Sequence, residues 1–507
     1  MSPQWILLIP LLGAVGIGLT GKRPNVREGV TLTTALLLLL AVGSLVDPVL
    51  AGQRPHWDGP QLAPGLRIVF DVEPLGLIYA GIGALLWIPN SIYSIGYMRG
   101  HAELNQTRFY VCFALALFSV MGLAFAGNLL TTFVFYEVLT LSTFPLVTHH
   151  GTPAAQRSGR IYLGFLLTTS MAFLLLGMIG VYVLTNGQMD YQPGSPLLAR
   201  PGLLASATEL TLLLPLFVFG IGKAAIMPFQ FWLPSAMVAP TPVSALLHAV
   251  AVVKAGVFLM LKVAVYVFGV DLIAHGTNSS WLVYLAGFSI VAGSLVALNQ
   301  DNLKARLAYS TVSQLSYITL GALLGTKLGI WGGGVHIAMH AFGKITLFFC
   351  AGAIYVATGK TRVSQLDGLG KRMPWTMAAF FLGALSIIGL PPLGGAWSKW
   401  YLGLATFQSE HPFMIAALLL SSLLNVAYLL PIPIRAFFWE ASEDEDDHGH
   451  GHGHGHGHDD HGHGSEGGVQ EAPLPCVIAL WITALGSLAL FFYPDLPLAL
   501  ARLATGS

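Results

Sequence analysis

Six charged residues stand inside long apolar stretches of this 507-residue chain, in which only 9% of residues are charged and 54% are hydrophobic. They are Glu137, Lys223, Lys254, Lys262, Lys344 and Lys399. A charge at the centre of a membrane-spanning helix costs about 2.5–3.5 kcal/mol even on the gentler insertion scales. Such residues persist mainly where they face a polar interior, and there they typically bind or move ions. The pattern therefore predicts ion transport.

Histidines accompany the lysines at helical spacing. His336, His340 and Lys344 follow one another every four residues, which places them on one helix face over a rise of about 12 Å. In another predicted helix, His248 precedes Lys254 by six residues. Imidazole and amine groups both accept and release protons, so the stack predicts a proton relay. Two histidines at this spacing also fit a zinc site, but no Glu or Cys accompanies them within the helix.

Glu137 is the single acidic residue that we expect deep within a predicted helix. A carboxylate at that depth requires a cation beside it. Lys223 is the expected partner, and Lys254 is the next candidate. Movement of such a pair together or apart changes how readily the lysine releases its proton, and thereby drives the proton onward. Lys262 is expected near a helix end, where its amine can reach the membrane interface.

Apolar stretches of about 20 residues recur along the whole chain, which is the length needed to cross a hydrocarbon layer of ~30 Å. A soluble protein would carry roughly a quarter charged residues. The sequence therefore predicts an all-α polytopic membrane protein with about 14 transmembrane helices. The predicted helices cover residues 4–20, 29–46, 74–98, 108–126, 129–148, 159–186, 207–232, 242–268, 278–299, 303–325, 328–358, 374–406, 412–438 and 472–494.

Lysine and arginine are unevenly distributed between the two sides of this predicted bundle. One side carries most of them, whereas the other side carries only Arg54, Arg67, Arg200, Lys327 and Arg502. Because cytoplasmic loops are enriched in Lys and Arg, we assign the richer side to the cytoplasm. This predicts a protein of the cell (inner) membrane with both termini outside.

The seventh and twelfth predicted helices contain helix breakers beside a lysine. Gly222 and Pro228 flank Lys223, and the segment 389–392, Gly-Leu-Pro-Pro, precedes Lys399. A broken helix frees backbone carbonyl and amide groups, which is tolerated at membrane depth only where they line a polar cavity or are buried in protein. Paired interruptions in the two halves of a transporter indicate its ion path. Glycine and proline also kink helices for packing alone, but such a kink needs no adjacent lysine.

Residues 439–471 differ in composition, because histidine alternates with glycine and acidic residues flank the run. The histidines are His448, His450, His452, His454, His456, His458, His461 and His463. Imidazoles at this density can hold Zn, Ni or Cu ions. They can equally buffer protons, or bind metal only incidentally in a solvated insertion, which is the interpretation that we favour. The segment is predicted to be a cytoplasmic loop, and no other cofactor is expected.

Several sequence blocks share the order and spacing of one known family. They include Gly222-Lys223-Ala-Ala-Ile-Met-Pro-Phe-Gln-Phe-Trp232, Ala239-Pro-Thr-Pro-Val-Ser-Ala-Leu-Leu-His248, Asn302-Leu-Lys304, His340-Ala-Phe-Gly-Lys344 and Trp397-Ser-Lys399. Through them, residues 70–440 resemble the antiporter-like subunits of respiratory complex I, Mrp-type Na⁺/H⁺ antiporters and membrane-bound hydrogenases. The resemblance implies two inverted five-helix repeats, at 108–268 and 278–438, with helices 7 and 12 broken. Residues 1–107 then hold helices 1–3, and residues 472–507 hold helix 14.

The resemblance also implies a proton relay between two half-channels that join at mid-membrane. Its residues are Glu137, Lys223, His248, Lys254, Lys304, His336, His340, Lys344 and Lys399. Glu137 and Lys223 match the family's pair on helices 5 and 7, and Lys399 matches its exit residue on helix 12. Some family members carry an acid in place of Lys399, so the resemblance leaves the chemistry of the exit open.

These observations predict a proton-translocating subunit of a multi-subunit cation/proton antiporter of the Mrp type. The chain stops at Ser507, without the long lateral helix of the most distal complex I subunit, which favours a D-like Mrp subunit. One alternative is the proton channel of a complex I-like or hydrogenase-type redox pump, or of an inorganic-carbon uptake system. A metal-ion transporter with a His-rich cytoplasmic loop is an alternative of another class.

The expected partners are other membrane subunits, H⁺, Na⁺ and the lipid bilayer. Nucleic acid is not an expected partner, because the formal net charge is zero and no basic block occurs. The sequence contains no nucleotide-binding loop and no cysteine set for an iron–sulfur cluster. Any redox chemistry of the complex is therefore expected to belong to the partner subunits.

Overall fold

Long apolar helices that run alternately up and down make up most of the chain in a computed structural model. The structure describes residues 2–63, 66–192, 207–440 and 469–506. The histidines of the predicted metal-binding loop, His448 to His463, lie outside the described residues.

The helices and strands are introduced here in chain order. They are α1 (Pro3–Leu19), α2 (Pro24–Gly43), β1 (His56–Ala63), β2 (Leu66–Asp71), α3 (Pro74–Gly100), α4 (Gln106–Ala124), α5 (Leu129–Val147), α6 (Pro153–Leu184), α7 (Ala207–Gly220), α8 (Thr241–Ala249 and Val252–Val263), α9 (Ser280–Leu298), α10 (Leu303–Leu323), α11 (Lys327–Thr358), α12 (Pro374–Ile388 and Gly395–Gln408), α13 (Met414–Phe438), α14 (Leu474–Phe492) and α15 (Asp495–Ala504). A short helix, Val46–Leu50, follows α2.

Ten helices in the described part of the chain are long and apolar enough to cross a membrane. The helices α1, α7 and the first segment of α12 are apolar but shorter. The helix α10 has 21 residues and is more polar than its neighbours. Together these helices follow the order of the fourteen predicted spans, which confirms a polytopic helical membrane protein. The division into two five-helix repeats stays a prediction.

Both predicted helix breaks are present, and each places a lysine beside the break. The helix α7 ends at Gly220, and a single turn over Gly222–Ala224 then carries Lys223. The helix α12 is interrupted after Ile388, where Gly389 has a φ of 89°. Glycine adopts this left-handed conformation without the steric cost that a Cβ would bring.

The helix α8 contains a third break, which no glycine or proline in the sequence indicates. It lies at Val250 and Ala251, between His248 and Lys254. The Tyr79 hydroxyl of α3 donates a hydrogen bond of 3.0 Å to the carbonyl of Ala251, which also accepts from the Ala255 amide at 2.9 Å. Tertiary packing therefore sets this break, and His248 and Lys254 lie on separate helical segments.

A β-hairpin between α2 and α3 departs from the predicted all-α fold. Its strands pair antiparallel, and the rings of Trp57 and Phe70 stack across them at 5.7 Å. The hairpin also bonds to the connection between α4 and α5, because Gly127 donates to the Val69 carbonyl at 2.8 Å and Asp71 donates to the Phe125 carbonyl at 2.7 Å. The hairpin thus closes one end of the bundle.

The helices α8 and α11 form the centre of the bundle. Within their most apolar 18-residue windows, 94% of the α8 residues and 100% of the α11 residues are buried, against 33% in both α13 and α14. The buried histidines and lysines on these two central helices therefore face protein rather than lipid: His248, Lys254, Lys262, His336, His340 and Lys344. This is the placement that a proton relay requires.

Candidate functional site

Lys223 is held against α5 by the turn that follows α7. Its amine donates to the Tyr136 carbonyl at 2.9 Å and to the Thr140 hydroxyl at 2.6 Å. The same amine lies 3.2 Å from the centre of the Tyr136 ring, and the Lys223 side chain is fully buried. A carbonyl, a hydroxyl and an aromatic face thus replace the water that a lysine ammonium would otherwise bind.

Glu137 follows Tyr136 on α5, but it forms no ion pair with Lys223 in the described structure. Both of its carboxylate oxygens are buried and lack a hydrogen-bond partner among the described residues. The predicted Glu137–Lys223 pair is therefore not closed in this conformation. The amine instead contacts the backbone one residue before the acid, so a small displacement along α5 separates the present contact from the predicted one.

Lys254 bridges the two central helices. Its amine contacts Nδ1 of His340 on α11, and both side chains are buried. Lys254 is connected to the Lys223 site through Gly256 on the same segment of α8. A Cβ at Gly256 would overlap the backbone of Lys223 and Ala224, so glycine lets the broken end of α7 pack directly against α8.

His336 follows Lys254 and His340 in a line of neighbouring side chains that leads towards α12. The two imidazole rings are 5.6 Å apart, centre to centre, as predicted from their spacing on one face of α11. Nδ1 of His336 lies 2.8 Å from the hydroxyl of Ser398, the residue before Lys399. The ring of Tyr317 stacks on His336 at 5.7 Å and lies 5.0 Å from the Lys399 amine.

Lys399 lies at the break in α12. Its amine donates to the Ile388 carbonyl at 2.8 Å, which the break has freed, and to the Ser422 hydroxyl of α13 at 3.0 Å. The side chain is partly buried, and no carboxylate of the described chain pairs with it. Tyr317 and Ser398 are not predicted, because no spacing rule links either residue to His336 on another helix.

Three further predicted residues lie beside this line rather than on it. Lys344 turns away from the imidazole stack towards α10, where its amine bonds to the Leu307 carbonyl at 3.2 Å and the Ser310 hydroxyl at 2.6 Å. Lys304 begins α10 and donates to the Ala239 carbonyl at 2.7 Å. His248 packs its ring 4.7 Å from that of Phe348, and neither ring nitrogen has a partner among the described residues.

The expectation that Lys262 reaches the membrane interface is wrong. Its amine is fully buried and pairs with the Glu73 carboxylate at 2.7 Å. Because α8 is buried on nearly all sides, the end of this helix lies within protein, and a long side chain there cannot extend to the interface. Glu73 is therefore a further buried acid besides Glu137. Its position just before Pro74 suggests only an ordinary helix N-terminus, which is why the pairing is not predictable from the sequence.

The described residues contain no group of three or more His, Cys, Asp or Glu side chains that could hold a metal ion. The i, i+4 pair His336 and His340 makes other contacts, to Ser398 and Lys254. The chemistry of the site is therefore that of amines, imidazoles and hydroxyls, which accept and donate protons.

Residues 126–425 match the sequence profile of the family described as NADH:quinone oxidoreductase/Mrp antiporter, transmembrane. This stretch includes every residue of the candidate site and more than half of the chain. The chain belongs to this family. It is therefore a multi-pass membrane subunit of the group that joins complex I-like and Mrp antiporter subunits, as the sequence blocks predicted.

The relatives include both a quinone oxidoreductase subunit and an antiporter subunit. The chain is 34% identical over 446 residues to NADH-quinone oxidoreductase subunit N of Desulforudis audaxviator, covering 84% of each. It is 30% identical over 442 residues to a D-type Na⁺/H⁺ antiporter subunit of Alkalihalophilus pseudofirmus, covering 86% of each. A chain of the Mrp complex from a Dietzia species superimposes with a TM-score of 0.82 at 22% identity, over 99% of this chain and 97% of that one. The last comparison supports the fold.

Proposed function

We propose that this protein is the proton-translocating subunit of a multi-subunit cation/proton antiporter of the Mrp Na⁺/H⁺ type. One observation carries the proposal, namely the line of neighbouring side chains that runs from Lys254 through His340 and His336 to Ser398, with the Tyr317 ring near both His336 and Lys399. It crosses the centre of the bundle from α8 to α12. Amines and imidazoles in such contact can pass a proton from one group to the next.

The proton enters this line at Lys223. In the present conformation the amine is held by Tyr136 and Thr140, and the carboxylate of Glu137 next to them is unpaired. When the amine moves to Glu137, the pair favours the protonated lysine, and when the pair opens, the lysine yields its proton towards Lys254. Alternation between these two arrangements switches Lys223 between holding and releasing its proton.

Unpaired polar atoms mark the places where water completes the relay. They belong to buried or partly buried side chains on or beside one path: both carboxylate oxygens of Glu137, Nε2 of His336 and His340, and, beside the path, both ring nitrogens of His248. Buried polar groups are nearly always hydrogen-bonded, so a series of unpaired ones calls for bridging water. Lys304 and Lys344 lie beside this path and supply further exchangeable protons.

The antiporter subunit from Alkalihalophilus pseudofirmus is named for Na⁺ and H⁺, which supports these two ions as the cargo. Because the same relative is named as one subunit of an antiporter, we propose that other membrane subunits are the partners of this chain. We further propose a cell-membrane location with both termini outside and the segment 439–471 in the cytoplasm, because lysine and arginine concentrate on the opposite side from the termini.

A second candidate is the proton-translocating subunit of a quinone-linked redox complex. The 34% identity to NADH-quinone oxidoreductase subunit N favours it. The amine and imidazole line serves either complex, because both require protons to cross the membrane. The metal-ion transporter has no support beyond the histidines of residues 448–463, at which Zn, Ni or Cu would bind.

The test is a transport assay on the whole complex reconstituted in vesicles. A Na⁺ gradient imposed across the vesicles should drive proton movement, and Glu137→Gln should reduce it strongly because the amide cannot exchange a proton with Lys223. Glu410→Gln provides the control, since Glu410 is an exposed acid outside the line. Unchanged proton movement in Glu137→Gln would remove the proposal. Proton movement that responds to quinol oxidation and not to Na⁺ would select the second candidate.

A further inference from the structure

A second group of buried charges lies at the hairpin end of the bundle, away from the line just described. Lys262 is at its centre, with its amine 2.7 Å from a Glu73 carboxylate oxygen and 2.6 Å from the Ala126 carbonyl. The side chains of Lys262 and Glu73 are 0% and 2% exposed. A buried ion pair is weak evidence for stability, because desolvation offsets most of its attraction. A contribution to stability therefore does not explain this pair.

The surrounding charges form a graded series towards the surface. Nη2 of Arg54 lies 3.8 Å from Glu73, and Nη1 lies 3.3 Å from Asp71. Asp71 in turn lies 4.0 Å from Nδ1 of His56. Side-chain exposure rises along the series, from 2% at Glu73 to 12% at Asp71 and 45% at His56. Burial raises the pKa of Asp71 above its ordinary value, and the Arg54 charge opposes that rise.

A surface cavity of about 380 Å³ opens beside this series. Arg54 and Tyr266 line it, and the Arg54 guanidinium lies 5.7 Å from the Tyr266 ring. The cavity wall also includes Gln53 and Asp271, so its lining is partly polar. Arg54 lines the cavity and also lies beside Glu73. The Arg54 side chain therefore separates water that enters the cavity from the buried ion pair.

On its inner side, the ion pair connects to the Lys223 site through hydroxyl groups. The Lys262 amine lies 4.6 Å from the Tyr191 ring, and the Tyr191 hydroxyl is 3.1 Å from that of Thr132 on α5. Thr132, Tyr136 and Thr140 recur every four residues, which places them on one stripe of α5 at a rise of about 6 Å per step. All three are buried. The Lys223 amine donates to the Tyr136 backbone carbonyl and to the Thr140 hydroxyl, and the Lys223 backbone amide donates to the Tyr136 hydroxyl at 3.1 Å.

We propose that Glu73 and Lys262 form a second proton-exchange site, through which the Lys223 site communicates with water at the hairpin end. The Lys262 ammonium gives its proton to the Glu73 carboxylate, which leaves a neutral amine and a neutral acid. Glu73 then releases the proton to water by way of Asp71 and His56. The amine regains a proton by way of the α5 stripe, whose hydroxyl groups each accept one proton as they donate another, with water bridging the steps of about 6 Å between them. The site provides the first half of the chain with its own opening, separate from Lys399.

The test compares proton translocation by the reconstituted complex in Glu73→Gln/Lys262→Met and in Glu28→Gln. The double variant removes both charges at once, so no unpaired charge is left buried. Glu28 is likewise a buried carboxylate in ion pairs, with Arg27 and Arg99, and lies outside both sites. We expect translocation to fall at least about tenfold in the double variant, since a positioned proton-transfer group contributes on the order of 10²- to 10⁴-fold. Glu28→Gln should leave it unchanged.

The outcomes separate this inference from the proposed function on which it rests. If the double variant translocates protons at the wild-type rate while Lys223→Met does not translocate them, the ion pair is purely structural. That result overturns this inference and leaves the proposed function intact. A wild-type rate in Lys223→Met would overturn the proposed function. If the double variant does not assemble, Tyr191→Phe decides, because it removes only the hydroxyl contact with Thr132. A several-fold lower rate in Tyr191→Phe supports the connection, and an unchanged rate contradicts it.

Discussion

Lys223 and Lys399 lie in opposite halves of the chain, yet the two amines are held in the same way. Each stands beside a broken helix and donates to one backbone carbonyl and one hydroxyl. Each also lies over a tyrosine ring, at 3.2 Å for Lys223 and 5.0 Å for Lys399. The arrangement supports an ammonium without neutralising it, so the amine can still lose its proton.

The two sites differ in their acids and in their exposure. Lys223 is fully buried and has Glu137 one residue from its carbonyl partner, whereas Lys399 is partly buried and pairs with no carboxylate of the described chain. A nearby acid allows the charge on Lys223 to be switched by a small movement. Lys399 has only neutral partners, so no carboxylate holds its proton. In the proposed function we therefore expect Lys223 to control proton transfer and Lys399 to release the proton.

The largest expected effect is the loss of either amine. Lys223→Met should lower the rate of proton translocation about 100-fold, since a positioned proton-transfer group supplies on the order of 10²- to 10⁴-fold. Lys399→Met should lower it less, because water can reach the partly exposed site and replace the amine. Lys223→Arg serves as the control for charge alone, because arginine keeps the charge but does not release a proton. Recovery of transport in Lys223→Arg would show that Lys223 acts only as a fixed charge.

Glutamate in place of each lysine sharpens the comparison. Lys399→Glu should keep a measurable fraction of the wild-type rate, because a carboxyl group at a partly exposed position can also exchange protons. Lys223→Glu should be inactive, since it places a second acid beside Glu137 and the Tyr136 carbonyl in a fully buried site. Equal residual rates in the two variants, measured in the same vesicles, would contradict the assignment of different roles.

Removal of the hydroxyl partners should have a smaller effect. Thr140→Val and Ser422→Ala each take one hydrogen bond from a lysine amine, and a hydrogen bond to a charged group is worth about 1.5–3 kcal/mol. The Thr140 change should slow translocation more than the Ser422 change, because Thr140 is fully buried and no water can take its place. The reverse order would indicate that Lys399, and not Lys223, is the more tightly controlled site.

Deletion of residues 441–466 should have the smallest effect. The proton line lies wholly within the described helices, so translocation should continue at the wild-type rate. Uptake of Zn²⁺ and Ni²⁺ by the same vesicles provides the second readout. Loss of metal flux together with intact proton movement would favour a metal-handling role for the histidines, and loss of proton movement would place the segment in the relay.

The sequence predicts the helices, the two breaks and the proximity of His336 and His340 because these features are local. Membrane-length apolar runs mark the spans, glycine and proline mark the breaks, and the spacing of His336 and His340 places them in contact. The break in α8 escapes prediction because tertiary packing makes it. The Glu73–Lys262 pair and Tyr317 escape for the same reason, since they depend on which helices become neighbours.

The proposed function requires that protons cross the middle of the bundle from Lys254 to His340. Its most direct test is the rate of Na⁺-driven proton translocation in Lys254→Met, in a complex shown to assemble normally. Methionine fills a similar volume without a charge, so the fold should persist. We expect a rate of proton translocation close to that of empty vesicles. A rate equal to that of the wild-type complex would contradict it.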